Sequence, residues 1–165
     1  MEPVKDFPEA LIRTDDGSLF ATEWFAGKVY RVKIEGGRLV PKRESSLEPA
    51  RPAGIACIGK RLFIITWTRG LGTKFHLVEM DMGLKVVSRM LIRDMQEPCQ
   101  LTWDGKDLWI SSWYAKKIYR VDINRWEITG YIRSPVSKTT GIAWDGKCMW
   151  VTGTYSDLYQ MEIGK

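Results

Sequence analysis

Apolar residues along this chain fall into short runs of two kinds. In the first kind nearly every position is apolar: Leu19-Phe20-Ala21, Leu62-Phe63-Ile64-Ile65, Leu108-Trp109-Ile110 and Met149-Trp150-Val151. Gap-free runs of this length fit strands covered on both faces. In the second kind apolar and polar residues alternate, as in Lys28-Val29-Tyr30-Arg31-Val32-Lys33-Ile34 and Lys117-Ile118-Tyr119-Arg120-Val121-Asp122-Ile123. A period of two is the signature of a half-buried strand. Each gap-free run is preceded by another short strand: Ala10-Leu11-Ile12-Arg13, Gly54-Ile55-Ala56-Cys57, Gln100-Leu101-Thr102-Trp103 and Gly141-Ile142-Ala143-Trp144. The turns between them carry Asp16-Gly17, Gly59, Asp104-Gly105 and Asp145-Gly146. Asp-Gly pairs predict type I′ hairpins, which need positive φ at both central residues. A fourth, more polar strand follows the alternating one, over 38–42, 85–89 and 127–132. Pro41 suits an outer edge, where a missing N–H costs little.

These strands recur as a unit. Leu108 to Val121 aligns with Leu19 to Val32, with Leu, Trp, Ala, Lys, Tyr, Arg and Val in register, and weaker copies start at Leu62 and Met149. The starts lie 43, 46 and 41 residues apart. A period of about 40–45 residues built of short strands marks propeller blades. The expected fold is an all-β, small β-propeller: one domain over 1–165, four blades of four antiparallel strands, near 6–45, 50–93, 97–134 and 138–165 plus 1–5. The last repeat lacks its outer strand, and Glu2-Pro3-Val4-Lys5 is expected to complete that blade and remove an open edge. Two closures satisfy this pattern: a monomeric four-bladed ring, or a homodimer forming an eight-bladed ring.

Composition narrows the setting. Hydrophobic content of 44% and charge of 27% read as a folded globular chain. No apolar run approaches the roughly 20 residues of a membrane span, and the start shows no secretory leader. Cys57, Cys99 and Cys148 have neither disulfide nor metal-ligand spacing, so reduced thiols and a cytoplasmic location are expected. No cofactor or metal is expected. The net charge of +5 permits an anionic partner without requiring one.

The segments Gly141-Ile142-Ala143-Trp144-Asp145-Gly146-Lys147 and Lys117-Ile118-Tyr119-Arg120-Val121-Asp122 resemble the blades of YncE-like, NHL and streptogramin-lyase-like propellers. Leu101-Thr102-Trp103-Asp104-Gly105-Lys106 is also similar to blades of plant-type glutaminyl cyclases. The resemblance implies blade structure over nearly the whole chain. Streptogramin lyases use a His with acidic and metal-binding neighbours. The one His of this chain, His76, lies in a third strand without such a motif, so no catalytic residue carries over.

A propeller gathers its strand-two-to-three loops and its blade-to-blade connections on one face. That face would hold Trp24, Trp67, Arg69, Lys74, Trp113, Tyr114 and Tyr155, with carboxylates Glu23 and Glu97. The three Trp fit either packing between blades or a stacking platform for a sugar, base or peptide side chain. Thr154 takes the fourth equivalent place and leaves a notch beside Tyr155. Gly70 and Gly72, flanked by Arg69 and Lys74, fit either an anion-binding loop or a plain hairpin loop. Glu23 and Glu97 fit either acid–base work or pairing with Lys and Arg. Three functions are therefore carried forward. The first is a noncatalytic binding or scaffold propeller for a small ligand or protein partner. The others are a lyase or cyclotransferase with its site at the channel mouth, and a nucleic-acid-binding module. No membrane partner is expected.

Overall fold

The computed structural model describes residues 8–70, 72–155 and 158–163. Among these residues there are fifteen strands and no helix, hence no helix long and apolar enough to cross a membrane. The strands form four antiparallel sheets. The first contains β1 (Pro8–Arg13), β2 (Leu19–Glu23), β3 (Lys28–Glu35) and β4 (Arg38–Ser46), in that spatial order. The second contains β5 (Arg51–Ile58), β6 (Arg61–Thr68), β7 (Lys74–Asp81) and β8 (Val86–Ile92). The third contains β9 (Pro98–Trp103), β10 (Leu108–Ser112), β11 (Lys117–Asp122) and β12 (Glu127–Arg133). The fourth has β13 (Thr139–Trp144), β14 (Met149–Gly153) and β15 (Tyr159–Met161) among the described residues. These are four blades of a small propeller, each a meander of hairpin-linked strands. The expected pairing of residues 1–5 with the last blade lies outside the described residues.

The chain divides into two compact units at Leu91–Ile92. In the first, alternation on the central strands sends residues to two layers. Phe20 and Val29 face the second blade and join Ile55, Leu62, Ile64, Val78 and Met80 in one core. Ala21, Tyr30 and Val32 pack on the opposite face of the first blade with Leu19 and Leu39. That is why strand two has no polar gaps: both its faces are covered, and Ile64 and Ile65 are each fully buried. Each such side chain contributes roughly 1.5–3 kcal/mol of apolar burial. In the second unit Trp109, Ile118, Val136, Met149 and Val151 form the layer between the third and fourth blades. Neighbouring blades within each unit are also stitched by a few polar contacts. Thr22 Oγ1 donates to the Ala53 carbonyl at 2.7 Å, the Trp144 N–H donates to Thr102 Oγ1 at 3.0 Å, and Cys99 Sγ donates to the Thr139 carbonyl at 3.3 Å.

The Asp-Gly turns are built differently from the type I′ expectation. Trp103 pairs with Leu108 and Trp144 with Met149, so these two loops have four residues, and Arg13 pairs with Leu19, so the Asp16-Gly17 loop has five. Only the glycines have positive φ, +97° at Gly105 and +98° at Gly146. The aspartates act through their side chains instead. Asp104 Oδ1 accepts the N–H groups of Lys106 (2.8 Å) and Asp107 (2.7 Å), while Oδ2 accepts the Trp109 indole N–H at 2.7 Å. Asp145 repeats the arrangement with Lys147, Cys148 and the Trp150 indole. The true two-residue hairpin with paired positive φ is at Gly36 (+57°) and Gly37 (+74°), between β3 and β4.

Candidate functional site

The loops between second and third strands, and the connections into each inner strand, carry the candidate residues. In the first unit they mostly serve packing. The Trp24 and Trp67 rings meet edge to face, with centroids 5.4 Å apart and planes at 75°, and Trp67 meets Phe75 at 5.0 Å and 78°. Such contacts suit the aromatic quadrupole and fix a half-buried stack. Glu23 is 5% exposed and accepts the Tyr30 hydroxyl at 2.6 Å. Burial, and then the bond to Glu23, push the Tyr30 phenol well above its ordinary range. Arg51 donates to the Phe25 carbonyl and anchors the β2–β3 loop from the next blade. Arg69 and Lys74 stand exposed at the β6–β7 hairpin, where the Gly72 N–H bonds to the Gly70 carbonyl at 2.8 Å.

The second unit brings together a different set. The Trp113 N–H donates to the Glu97 carbonyl at 2.9 Å, and the Thr154 N–H donates to the Lys138 carbonyl at 3.1 Å. These are equivalent bonds in successive blades, so Glu97 corresponds to Lys138 and Trp113 to Thr154. The Trp113 ring lies 6.3 Å from that of Tyr114, at 84°. Lys138 Nζ sits 5.2 Å over the Tyr114 ring, and Tyr114 is 56% exposed. Tyr155 is fully exposed on the next loop. Two polar atoms here are buried without a hydrogen-bond partner among the described residues: Glu97 Oε2 and Thr154 Oγ1. Ser112, by contrast, is satisfied: its hydroxyl donates to the Gln96 carbonyl and accepts the Ala115 N–H at 3.0 Å.

Three of the five described non-glycine residues in the left-handed region lie in these loops, Glu97 (φ +45°), Lys116 (+52°) and Tyr155 (+56°), while Leu84 (+64°) and Trp126 (+57°) lie in turns between third and fourth strands. Such residues each cost on the order of 1 kcal/mol or more and cluster at functional sites. In the first blade the place of Lys116 is held by Gly27, at φ +64°. That repeat correspondence was the available signal for Lys116. Lys138, whose ammonium covers Tyr114, was legible only as the residue equivalent to Glu97. Among the described residues no group of His, Cys, Asp and Glu side chains is arranged to hold a metal.

No family model matches this chain, and no curated protein matches it. Solved structures do. A chain of hydrazine synthase from Kuenenia stuttgartiensis is 15% identical with a TM-score of 0.73, over 94% of this chain and 58% of that one. A chain of the mitotic checkpoint complex is 16% identical with a TM-score of 0.62, over 98% of this chain and 52% of that one. Selenomethionine-substituted virginiamycin B lyase from Staphylococcus aureus is 18% identical with a TM-score of 0.51, over 88% of this chain and 62% of that one. This chain thus spans less than two thirds of each. Virginiamycin B lyase is a β-propeller, and the four-bladed arrangement here places this chain in the same structural class. At these identities the likeness defines the fold alone.

Proposed function

We propose that the protein is a noncatalytic binding propeller whose second unit takes a small polar ligand on the loops around Glu97, Trp113 and Thr154. Fold does not choose the job, since an enzyme and a checkpoint assembly both share it. The observation that carries the reading is two buried polar atoms without a partner among the described residues, Glu97 Oε2 and Thr154 Oγ1, with the half-buried Trp113 tied to Glu97 through its backbone N–H. A buried polar atom without a partner costs roughly 1–3 kcal/mol. A site retains that cost when a ligand repays it on binding. A carboxylate oxygen takes only donors, so the ligand offers hydroxyl or amino groups. Trp113 offers a face for a flat or sugar-like ring, while Lys138 already covers Tyr114.

The test is thermal unfolding against a panel of hydroxyl-rich and amine-bearing small molecules. A ligand at about a hundred times its Kd stabilises by about 2.7 kcal/mol, roughly 5–10 °C for a chain of this size. Glu97→Gln and Trp113→Phe should each weaken that ligand at least tenfold, yet leave the free protein folded. Glu97→Gln should not lower the melting temperature of the free protein, since Oε2 has no hydrogen-bond partner to lose among the described residues. Equal ligand binding by both variants would overturn the reading.

A further inference from the structure

The outer hairpin of the first blade holds most of the chain's net charge of +5: between Lys28 and Ser46 there are six Lys and Arg against two Glu. The third and fourth strands are not regularly paired there. Arg31 pairs with Arg43 and Val32 with Pro41, so Lys42 is the extra residue of a β-bulge. Two consequences follow. Two guanidinium side chains are set directly across the sheet from each other, which destabilises a strand pair. The bulge also turns the outer strand beside a depression of about 450 Å³, lined by Arg31, Val32, Lys33, Lys42 and Arg43. Bulges are used to re-aim side chains at sites, and this volume is that of a small-molecule pocket.

The charges are unequally engaged. Lys42 is bridged to Glu35 at 2.6 Å, and Arg31 donates to Ser18 Oγ at 2.9 Å. Neither Arg31, Lys33 nor Arg43 forms an ion pair with a carboxylate among the described residues. The carboxylate of the facing turn, Asp81, spends Oδ1 on the N–H groups of Gly83 and Lys85. We propose that this bulge depression is a binding site for a compact phosphate-bearing small molecule, clamped between Arg31 and Arg43 with Lys33 and Lys42 at its rim. Opposed guanidinium groups with free donors are suited to bidentate phosphate recognition. The flanking carboxylates decide between a compact anion and an extended one. Glu35 closes one end of the cluster and Glu44, bridged to Lys28 at 2.8 Å, the other. A nucleic-acid backbone running along the hairpin would meet both.

Calorimetric titration with pyrophosphate at low ionic strength tests this, with a single-stranded oligonucleotide as the second arm. Pyrophosphate should bind, and the double variant Arg31→Gln, Arg43→Gln should weaken it at least tenfold. A charge-matched control, Lys60→Gln with Arg125→Gln, should leave binding within twofold. Without anion, the Arg31, Arg43 variant should melt no lower than the parent, because repulsion across the sheet is gone. Absence of pyrophosphate binding overturns the proposal, as does equal weakening by the control. Oligonucleotide binding that exceeds that of pyrophosphate and is lost in the same double variant assigns the surface to nucleic acid and equally overturns it. This site lies in the first unit, and its test does not depend on the loops of the second.

Discussion

Replacing Asp104 by Ala removes three hydrogen bonds from one carboxylate. They are not equivalent. The backbone N–H groups of Lys106 and Asp107 lie in an accessible turn and pass to water, at a net loss of about 0.5–1 kcal/mol each. The Trp109 indole cannot follow them, because that residue is 3% exposed and packed between the third and fourth blades. Leaving its N–H without a partner costs about 1–3 kcal/mol. The expected total is roughly 2–5 kcal/mol, or roughly 4–20 °C of melting temperature at this chain length. A double-mutant cycle with Trp109→Phe isolates the indole share. Phenylalanine is the natural solution in the first two blades, where Phe20 and Phe63 take this place and no acceptor is needed. Urea unfolding followed by circular dichroism should give a coupling energy of about 1–2 kcal/mol between the two positions. There is also a pH signature. Burial raises the Asp104 pKa, but the N–H of Asp107, the indole and the N–H of Lys106 outweigh it and hold the carboxyl below its ordinary range. Its contribution is therefore present above the ordinary carboxylate pKa and lost as pH falls through the depressed value. The gap between parent and Asp104→Ala should narrow in acid. Coupling below about 0.3 kcal/mol would mean the two residues act independently and would refute the reasoning.

Two more expectations use the repeat against itself. Lys116→Gly should be neutral or stabilising by up to about 1 kcal/mol, because Lys116 sits at φ +52° where glycine is unstrained. Gly27→Ala at the equivalent place should destabilise, since φ is +64° and a Cβ would lie 3.0 Å from the Ala50 carbonyl oxygen; thermal melts of both variants check the opposite signs. Tyr30→Phe leaves the Glu23 carboxylate buried without the hydroxyl it now accepts, at about 1–3 kcal/mol in urea titrations. The Tyr30 pKa is raised in the fold, so its contribution is complete below the ordinary phenol value near pH 10 and declines as pH climbs beyond it. Loss of stability above pH 10 should accordingly be shallower in Tyr30→Phe than in the parent.

The blade pattern was readable because it rests on periodicity that burial enforces. The runs Leu19–Ala21 and Leu62–Ile65 of strand two are free of polar residues because a layer covers each face, as Phe20 and Ala21 show on opposite sides of β2. The turns were half readable. Asp-Gly marked their positions, but loop length depends on cross-strand register and on an indole two residues into the next strand, which no dipeptide reports. Pro41 marked an outer edge strand; the bulge beside it, and which side chains it clusters, depended on pairing with β3. Glu97 was found as a carboxylate near the face, whereas its unpartnered oxygen emerges only from three-dimensional burial. Lys116 and Tyr155 at positive φ contradict local propensity, and residues that defy propensity are invisible to rules built on it.

Among the described residues, backbone ladders run within each sheet, and the partner blade in the same unit is reached by a few side-chain hydrogen bonds and a layer of side chains. Among the described residues, no main-chain hydrogen bond joins β1 to β5 or β9 to β13, so none has to be broken there to insert or delete a blade. Gene duplication or loss of a whole repeat would then ask for a new apolar interlayer and one or two rewired side-chain hydrogen bonds. The genetic quantum of this architecture is the meander, and growth or shrinkage in steps of some forty residues is its cheapest evolutionary move.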